Sequence, residues 1–561
     1  QGNVIAVWED GRNGSPPNSD VYLRYSTDYG FSWNDEQRVN NDNSVNAKNP
    51  VAALNSAGRF MVVWQDERNG NSDIFFQEYQ LSGSSLIAQG TNRLVGGVAS
   101  YNEGNQLVPD LAVDDTGGFH VVWQDNRNNN PDIFASSYLT QTVNSTDIVT
   151  WTLVRRVDDG TTKGLAAAAL SAQTSPRIEA VDWLRVTDIV YEIVEVGPDE
   201  YSVVVSEVIS EPATFLAVTW TDDRNGDTDI ALVASLDGGE TYDIDQLITN
   251  SDSDGDQQHP DVTATSGSVI QEISFPVPGL VDTTVSAEVE LPVIDLHVVW
   301  DGYSTSENIP GDTDVFYSRG RLSVEQRSTG GSAEFRPVLA VGGAEKINQN
   351  DERDWQTGPV EQSHPAVTRA VCANSSDDDP LSNVFIAWAD GRNYDDANYD
   401  IYYDLKSDCG ATLGGNQMLA NGVRLHNFDP ANPKWAGAYS AGEPPPGFQF
   451  RPSVAADISL EGLTVSGGYL YLAWEDDRIG DSRQEKDLFF ARSNLTYANQ
   501  PSYNPFNDGA GSQVSNILDS GSDETVWYTL DWTVTTPDST YMTVQTRLGD
   551  TITDVLNSEW Y

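Results

Sequence analysis

The chain has few cysteines and few cationic side chains. Its 561 residues include two Cys, and 31 Lys and Arg stand against 85 Asp and Glu; six of the cationic residues are Lys. The formal net charge of −54 opposes the approach of nucleic acid or of an anionic membrane surface, so neither is an expected partner. Three explanations of the excess acid stay open: divalent cation binding, life at high salt, and solubility of a secreted surface.

Long apolar runs and the usual catalytic motifs are also missing. No run of 18 apolar residues is present, so we expect no insertion into a membrane. The five His residues form no H-E-x-x-H pair, and no G-x-S-x-G nucleophile elbow accompanies them. Carboxylates are so numerous that pairs of them do not single out a glycosidase site. Catalysis is therefore not the leading expectation.

The two cysteines, Cys372 and Cys409, fall within one repeat unit. They follow apolar runs at residues 366–371 and 401–405, which we predict to be the first and third strands of one sheet. Those strands run in the same direction, so both thiols emerge at the same edge. A disulfide and two free thiols are the alternatives. The disulfide, together with the acidic composition, favours an extracellular or cell-surface protein.

The abundant feature is a tryptophan hairpin that occurs seven times. A tryptophan ends an apolar run, and in six copies it begins the motif W-x-D-x-R. The six copies are Trp8, Asp10 and Arg12; Trp64, Asp66 and Arg68; Trp123, Asp125 and Arg127; Trp220, Asp222 and Arg224; Trp388, Asp390 and Arg392; and Trp474, Asp476 and Arg478. The remaining copy, Trp300-Asp301-Gly302, is degenerate. Sevenfold recurrence indicates a repeat architecture.

Each unit contains four predicted strands: a Pro-led run, the Trp-ended run, a run after the turn, and a short closing segment. One sheet cannot bury both of its faces, whereas radial stacking of several sheets does so. The predicted fold is all-β: a seven-bladed β-propeller of four-stranded antiparallel blades over residues 1–514, with an array of β-sandwiches as the alternative. Residues 515–561 are predicted to begin a small, sandwich-like β module. The start at Gln1 has two explanations, processing and a longer native chain, and continuation beyond Tyr561 stays open.

The turns of the tryptophan hairpins have a structural and a functional interpretation. In the structural one, Arg224 bridges the carboxylates of Asp222 and Asp229 across the hairpin, and an Asn-Gly pair supplies the positive φ that the turn needs. In the functional one, the oxygen-rich loops bind Ca²⁺, the one cofactor considered. The candidate ligands are Asp223, Asn225, Asp227 and Asp229, and in a second loop Asp252, Asp254 and Asp256. Neither set has the complete EF-hand pattern.

Two insertions and two histidines depart from the repeat. Residues 189–209 and 269–294 are predicted to form extended hairpins, which provide either a docking surface or surface elaboration without a ligand. His259 and His364 each precede the proline of a first strand in successive units. They are predicted either to share a site or to serve packing and turn formation.

A second motif follows the third strand. Ser26-Thr27-Asp28-Tyr29-Gly30-Phe31-Ser32-Trp33 fits S-x-D-x-G-x-[ST]-W, and residues 235–242 fit it with Tyr242 at the end. Both segments resemble the Asp box, or BNR repeat, of sialidase-like propellers, in which it is a structural turn away from the active site. The W-x-D-x-R units also resemble repeats of large secreted and cell-surface bacterial or archaeal proteins.

The resemblance to sialidases has clear departures. The Arg-Ile-Pro signature of those enzymes is absent, and the nearest text, Arg177-Ile178-Glu179, lacks the proline. Sialidases also usually have six blades. The leading expectation is a non-catalytic extracellular or cell-surface propeller with a structural, adhesive or self-assembling role, whose partners are other proteins or copies of itself. The alternative is a glycan-binding protein or a divergent sialidase-like glycoside hydrolase. Function is expected where the repeat is broken.

Overall fold

The structure is a computed structural model that describes a large part of the chain. The described residues are 2–12, 18–30, 32–97, 104–143, 146–157, 171–198, 200–224, 226–242, 244–248, 255–277, 280, 283–303, 313–329, 332–348, 361–369, 384–391, 399–406, 417–418, 423–424, 449–461, 464–476 and 487–494. All of them belong to the first of two units into which the chain divides, Gln1–Asp508. Four residues of the sequence-based predictions and the predicted module at 515–561 lie outside these residues; the four are Arg392, Arg478, Cys372 and Cys409.

The described residues form strands, apart from turns, loops and one short 3-10 turn at Val95–Gly97. Within them, no helix is long and apolar enough to cross a membrane. The strands form seven sheets, numbered here in chain order, and all strand pairings within the sheets are antiparallel. The chain is therefore an all-β protein, as predicted.

The first three sheets contain twelve strands. Sheet 1 consists of β1 (Val4–Asp10), β2 (Asp20–Ser26) and β3 (Gln37–Arg38). Sheet 2 consists of β4 (Ala47–Leu54), β5 (Arg59–Asp66), β6 (Asp73–Ser82) and β7 (Ser85–Leu94). Sheet 3 consists of β8 (Gln106–Val113), β9 (Phe119–Asp125), β10 (Asp132–Val143), β11 (Thr146–Trp151) and β12 (Arg155–Arg156).

The next two sheets carry the longest strands. Sheet 4 consists of β13 (Gln173–Gly197), β14 (Glu200–Asp222), β15 (Asp229–Ser235) and β16 (Ile244–Leu247). Sheet 5 consists of β17 (Gln257–Pro276), β18 (Thr284–Tyr303), β19 (Thr313–Thr329), β20 (Ser332–Val341) and β21 (Glu345–Lys346).

The last two sheets complete the series. Sheet 6 consists of β22 (Gln362–Arg369), β23 (Val384–Asp390), β24 (Asp400–Lys406) and β25 (Gln417–Met418). Sheet 7 consists of β27 (Gln449–Glu461), β28 (Thr464–Asp476) and β29 (Asp487–Asn494), and the earlier segment β26 (Val423–Arg424) pairs with β29.

In the described part of the chain, seven apolar interfaces lie between neighbouring sheets, apart from the cluster of the extended hairpins described below. Six of them join successive sheets, from sheet 1 with sheet 2 to sheet 6 with sheet 7. In the seventh, Tyr471 and Phe490 of sheet 7 pack with Val4 and Ala6 of sheet 1. The sheets therefore form a cyclic series. Because neighbours cover both faces of these sheets, the Trp-ended strands β5, β9 and β23 are buried along nearly their whole length.

One carboxylate organises each complete tryptophan hairpin. The indole Nε1 donates to the Asp two residues later at 2.8–3.3 Å in all six copies. In the four copies whose arginine is described, the Arg backbone N–H donates to the same carboxylate at 2.8–3.0 Å. Arg224 pairs through its guanidinium with Asp222 of its own turn. The Trp, Asp and Arg of the motif thus form one hydrogen-bonded unit.

In sheet 5 the indole of the hairpin tryptophan has a different hydrogen-bond acceptor. Gly302 stands where the other hairpins have Asp, and the Trp300 indole donates instead to Gln257 Oε1 at 2.7 Å. A Cβ atom on Gly302 would lie 2.1 Å from that oxygen. Glycine is therefore needed here because the glutamine side chain fills the space of the missing carboxylate.

A buried glutamine three residues before the first-strand proline was not predicted. Gln106 accepts from Ile74 N in sheet 2 at 3.1 Å and donates to Asp125 in the hairpin of sheet 3 at 3.1 Å. Gln449 repeats the arrangement between sheets 6 and 7, with distances of 2.9 and 3.2 Å. These glutamines connect each hairpin carboxylate to the preceding sheet.

The two predicted insertions are extended hairpins, β13–β14 and β17–β18. They share an apolar cluster that includes Ile189, Phe275 and Leu291. Val324 of β19 belongs to the same cluster; the β19–β20 hairpin, which is shorter than the other two, was not predicted. The insertions therefore have a small core of their own.

The two Asp-box segments form matching turns. Asp28 accepts from the Ser32 backbone N–H at 2.8 Å and from the Ser32 hydroxyl at 2.6 Å. Asp237 accepts from Thr241 in the same way, at 2.8 and 2.7 Å. Burial opposes ionisation of both aspartates, but these hydrogen bonds lower the pKa of each below its usual value.

Candidate functional site

The first strands of sheets 2 to 7 share a bulge immediately before their proline. The register shifts there in every one of them. The residue before the proline has a positive φ of 47° to 54°, although proline usually keeps its predecessor in extended conformations. These six residues are Asn49, Val108, Ser175, His259, His364 and Arg451. We call them the pre-proline residues.

In three sheets, the side chain of the pre-proline residue meets the residue that follows the hairpin tryptophan. Asn49 donates to Gln65 Oε1 at 3.2 Å, and Arg451 pairs with Glu475 at 3.3 Å. In sheet 5 the partner of His259 is Asp301, with Nδ1 2.9 Å from Oδ1. The backbone frame is thus the same while the chemistry differs from sheet to sheet.

His259, Asp301 and His364 form a cluster between sheets 5 and 6. The imidazole rings of His259 and His364 stack with centroids 4.0 Å apart. Asp301 Oδ2 also accepts from the His364 backbone N–H at 3.4 Å. Burial raises the pKa of Asp301, while the hydrogen bond and charge of His259 act in the opposite direction. The two histidines, for which a shared site and a packing or turn role were the alternatives, are therefore brought together, and Asp301 of the degenerate hairpin joins them.

A second cluster, here called the carboxyl cluster, collects charged side chains from four first strands. Its members are Asp110 of β8, Arg177 and Glu179 of β13, Asp261 of β17 and Arg369 of β22. Asp110 accepts from Ile178 N at 2.8 Å, which joins sheets 3 and 4. Asp261 accepts from Val367 N at 2.8 Å, which joins sheets 5 and 6. Neither aspartate could be linked to the others from the sequence.

The pKa of each carboxyl group in the cluster is raised, and that of Glu179 lies above neutral pH. Burial raises the pKa of Glu179 to about 8; Arg369 opposes this rise, and Asp261 and Asp110 add to it. Burial raises the pKa of Asp261 to about 6, against the attraction of Arg177 3.8 Å away, although 23% of the Asp261 side chain stays exposed. Neighbouring carboxyl groups with different protonation states are typical of acid–base sites.

The structure describes four of the seven predicted calcium ligands. Asp223 accepts from Ala172 N at 2.5 Å, and Asp256 accepts from the Thr228 backbone N–H at 3.1 Å. Asp229 is buried at the start of β15 and Asp227 is half-buried, whereas Asn225, Asp252 and Asp254 lie outside the described residues. Calcium binding at these loops stays a prediction.

No family model and no curated protein matches the chain. Among solved structures, it is similar to a sialidase from Trypanosoma rangeli in complex with sialic acid: 11% identity, 85% of this chain and 62% of the other covered, TM-score 0.31. It is similar to the polysaccharide lyase Uly1, with 9% identity, 88% of both chains covered and a TM-score of 0.34. A putative glycoside hydrolase from Bacteroides ovatus shows 12% identity over 64% of this chain and 86% of the other, with a TM-score of 0.24.

Proposed function

We propose that the chain is a seven-bladed β-propeller that binds and hydrolyses a glycan at the carboxyl cluster. The observation that carries this proposal is the convergence of three carboxyl groups and two guanidinium groups from four consecutive first strands. Each sheet is one blade, and the cyclic series of interfaces supports closure of the blades into a ring. The first strands are the innermost strands in this arrangement, so the cluster faces the ring's axis.

The fold itself does not require this cluster. Bringing several charged groups together away from bulk water costs free energy, and perturbed protonation of this kind is concentrated at functional sites. At the equivalent position of β4, two residues after its pre-proline residue, the chain has Val51; β27 has Ser453 there. The charges are therefore confined to part of the ring, as expected of a site and not of a scaffold.

The chemistry suits cleavage of a glycosidic bond. Glu179 holds a proton at neutral pH that it can donate to the glycosidic oxygen as the bond from that oxygen to the anomeric carbon breaks. A water molecule then bonds to the anomeric carbon and returns one of its protons to Glu179. Asp261 is ionised at the same pH, and its negative charge stabilises the positive charge that develops at the anomeric carbon. The guanidinium groups of Arg177 and Arg369 donate hydrogen bonds to sugar hydroxyl or carboxylate groups. The acidic composition is consistent with work at the cell surface or outside the cell.

The test is glycan hydrolysis by the purified chain and two matched variants. Neutral and acidic oligosaccharides are incubated with wild type, Glu179→Gln and Glu192→Gln, and new reducing ends are measured. Glu192 lies on the same strand but is exposed on the hairpin. We expect Glu179→Gln to lose activity by roughly 100-fold or more and Glu192→Gln to keep it. The absence of any cleaved or bound glycan, or full activity of Glu179→Gln, would overturn the proposal.

A second candidate function is protein docking by the extended hairpins. Among the described residues, eight of the twelve exposed large hydrophobic side chains lie on these hairpins or their connection: Leu184, Val190, Val194, Val196, Val204, Ile209, Ile270 and Leu280. Carboxylates such as Glu192 and Glu207 flank these side chains, so the fitting partner is apolar with a basic rim. The alternative occupant of this surface is a second copy of the chain, and sedimentation of the purified chain tests for it. If the chain forms a dimer that the double variant Val194→Ser with Val204→Ser dissociates, the proposal of a basic protein partner is contradicted.

A further inference from the structure

The cluster of His259, Asp301 and His364 has the donor atoms of a metal site. Each residue offers one ligand atom, and the three atoms lie within 4.8 Å of one another. Among the residues that the structure describes, no other group of three His, Cys, Asp or Glu side chains meets this condition. An ion with ligand distances of about 2.0 to 2.2 Å holds its ligands roughly 3.3 Å apart, so small side-chain movements are sufficient to bind it.

The three residues are not repeated in the other sheets. The pre-proline residue of sheet 2 is Asn49, which contacts Gln65, and that of sheet 7 is Arg451, which contacts Glu475. Neither pair supplies an imidazole. Two adjacent sheets, 5 and 6, each place a histidine at this position, and sheet 5 alone has an aspartate after its hairpin tryptophan. The fold is thus built without these donors elsewhere.

The surroundings suit an ion that arrives from solvent. The His259 side chain is 37% exposed, whereas the Asp301 side chain is 7% exposed. The exposed imidazole gives an entry path, and the buried carboxylate supplies negative charge where water competes little. Two imidazole nitrogens and one carboxylate oxygen are the donors preferred by zinc-like transition metals, whereas Ca²⁺ takes six or more oxygens.

We propose that His259, Asp301 and His364 bind one divalent transition-metal ion of the zinc class between sheets 5 and 6. Three protein ligands leave at least one coordination position for water or for a small anionic ligand. This proposal does not depend on the proposed glycan hydrolysis, because the ion is detected by binding alone and without any sugar.

The test is metal binding to the untagged full chain after removal of metals by chelation and dialysis. Isothermal titration with Zn²⁺ is expected to give one tight site, and Co²⁺ is expected to give the visible absorption of a low-coordinate N/O site. The variants are His364→Ala, His259→Ala and Asp301→Asn. Each is expected to weaken Zn²⁺ binding by roughly 10- to 100-fold or more. Excess Ca²⁺ is expected not to compete.

Asn49→Ala is the matched control, since it removes a polar side chain from the equivalent position of sheet 2. It is expected to bind Zn²⁺ like the wild type. Far-ultraviolet circular dichroism checks that each variant is folded, and Asp301→Asn keeps the size of the side chain if an alanine variant fails to fold. Zinc binding of equal strength in wild type and all three variants, or no tight site in the wild type, would overturn the proposal.

Discussion

Arg492 donates a hydrogen bond from Nη1 to the backbone carbonyl oxygen of Tyr29 at 2.8 Å, across 463 residues of sequence. Sheet 7 meets sheet 1 at this contact. The rings of Tyr29 and Tyr469 lie 4.7 Å apart beside it, and Trp33 meets Phe490 edge to face. The described part of the interface between the last sheet and the first therefore combines ring contacts with a side chain-to-backbone hydrogen bond.

The first prediction concerns this interface. Arg492→Ala removes a charged donor from a half-buried carbonyl, and we expect it to lower the free energy of unfolding by about 1.5 to 3 kcal/mol. Hydrogen exchange should accelerate in β1 and β29 more than in β9. Arg185→Ala, which breaks an exposed ion pair with Glu211 on the hairpin, is the control and should change stability by less than about 1 kcal/mol. Uniform acceleration over all sheets would contradict a local junction.

The second prediction concerns the tryptophan hairpins. Asp222 accepts from the indole of Trp220 and from Arg224, so Asp222→Ala removes the acceptor of a buried indole N–H and one acceptor of the Arg224 guanidinium. We expect a loss of about 3 to 5 kcal/mol in chemical denaturation. Asp115→Ala, at an exposed position, is the control. A loss as small as that of the control would show that water replaces the carboxylate readily.

The third prediction concerns the glutamines that join neighbouring sheets. Gln106→Ala removes the acceptor of Ile74 N and a donor to Asp125, both of which are buried. The expected cost is about 2 to 4 kcal/mol, since two buried polar groups each lose a partner. Gln89→Ala changes an exposed glutamine of sheet 2 and should cost little. Equilibrium unfolding in urea measures both.

The fourth prediction concerns the pH dependence of stability. Burial raises the pKa of Glu179 from 4.5 to about 8, so between these values the native state retains a proton that the unfolded chain has released. The contribution of Glu179 to stability therefore falls as pH rises through this range. Glu179→Gln should be more stable than wild type at about pH 9, by on the order of 2 to 4 kcal/mol, and similar at about pH 4. Glu192→Gln should show the wild-type profile.

The fifth prediction concerns the acidic loops. If Asp223, Asp227 and Asp229 bind Ca²⁺ with Asn225, then Ca²⁺ at about 100 times its Kd raises the free energy of unfolding by about 2.7 kcal/mol. Melting curves with Ca²⁺ and with EGTA measure the difference, because EGTA removes Ca²⁺ selectively. Asp223→Ala with Asp227→Ala should abolish it. An unchanged melting temperature after chelation would show that Ca²⁺ does not stabilise the fold.

The sequence predicts those features that are local. The Trp, Asp and Arg of each hairpin lie within five residues, and the Asp-box ligands of Asp28 lie within four, so the text alone carries their geometry. Strand alternation likewise predicts the extended hairpins at 189–209 and 269–294.

Features that depend on register between distant strands were missed. Asp110 and Glu179 are far apart in the sequence, because most of sheet 3 lies between them along the chain. Only the alignment of β8, β13 and β17 brings them together with Asp261. The linking glutamines do follow a regular pattern in the sequence. Gln stands three residues before the proline in five first strands, at Gln106, Gln173, Gln257, Gln362 and Gln449.

The pre-proline residues have a consequence for engineering. An amide, an aliphatic, a hydroxyl, two imidazoles and a guanidinium all adopt the same left-handed backbone, with φ differing by only a few degrees. Even the β-branched Val108 does so, which means that the surrounding frame, and not the residue, determines this conformation. The six positions therefore share one backbone conformation that accepts very different side chains. Substituting the residue at such a position can change which ligands the molecule binds while the backbone conformation stays the same.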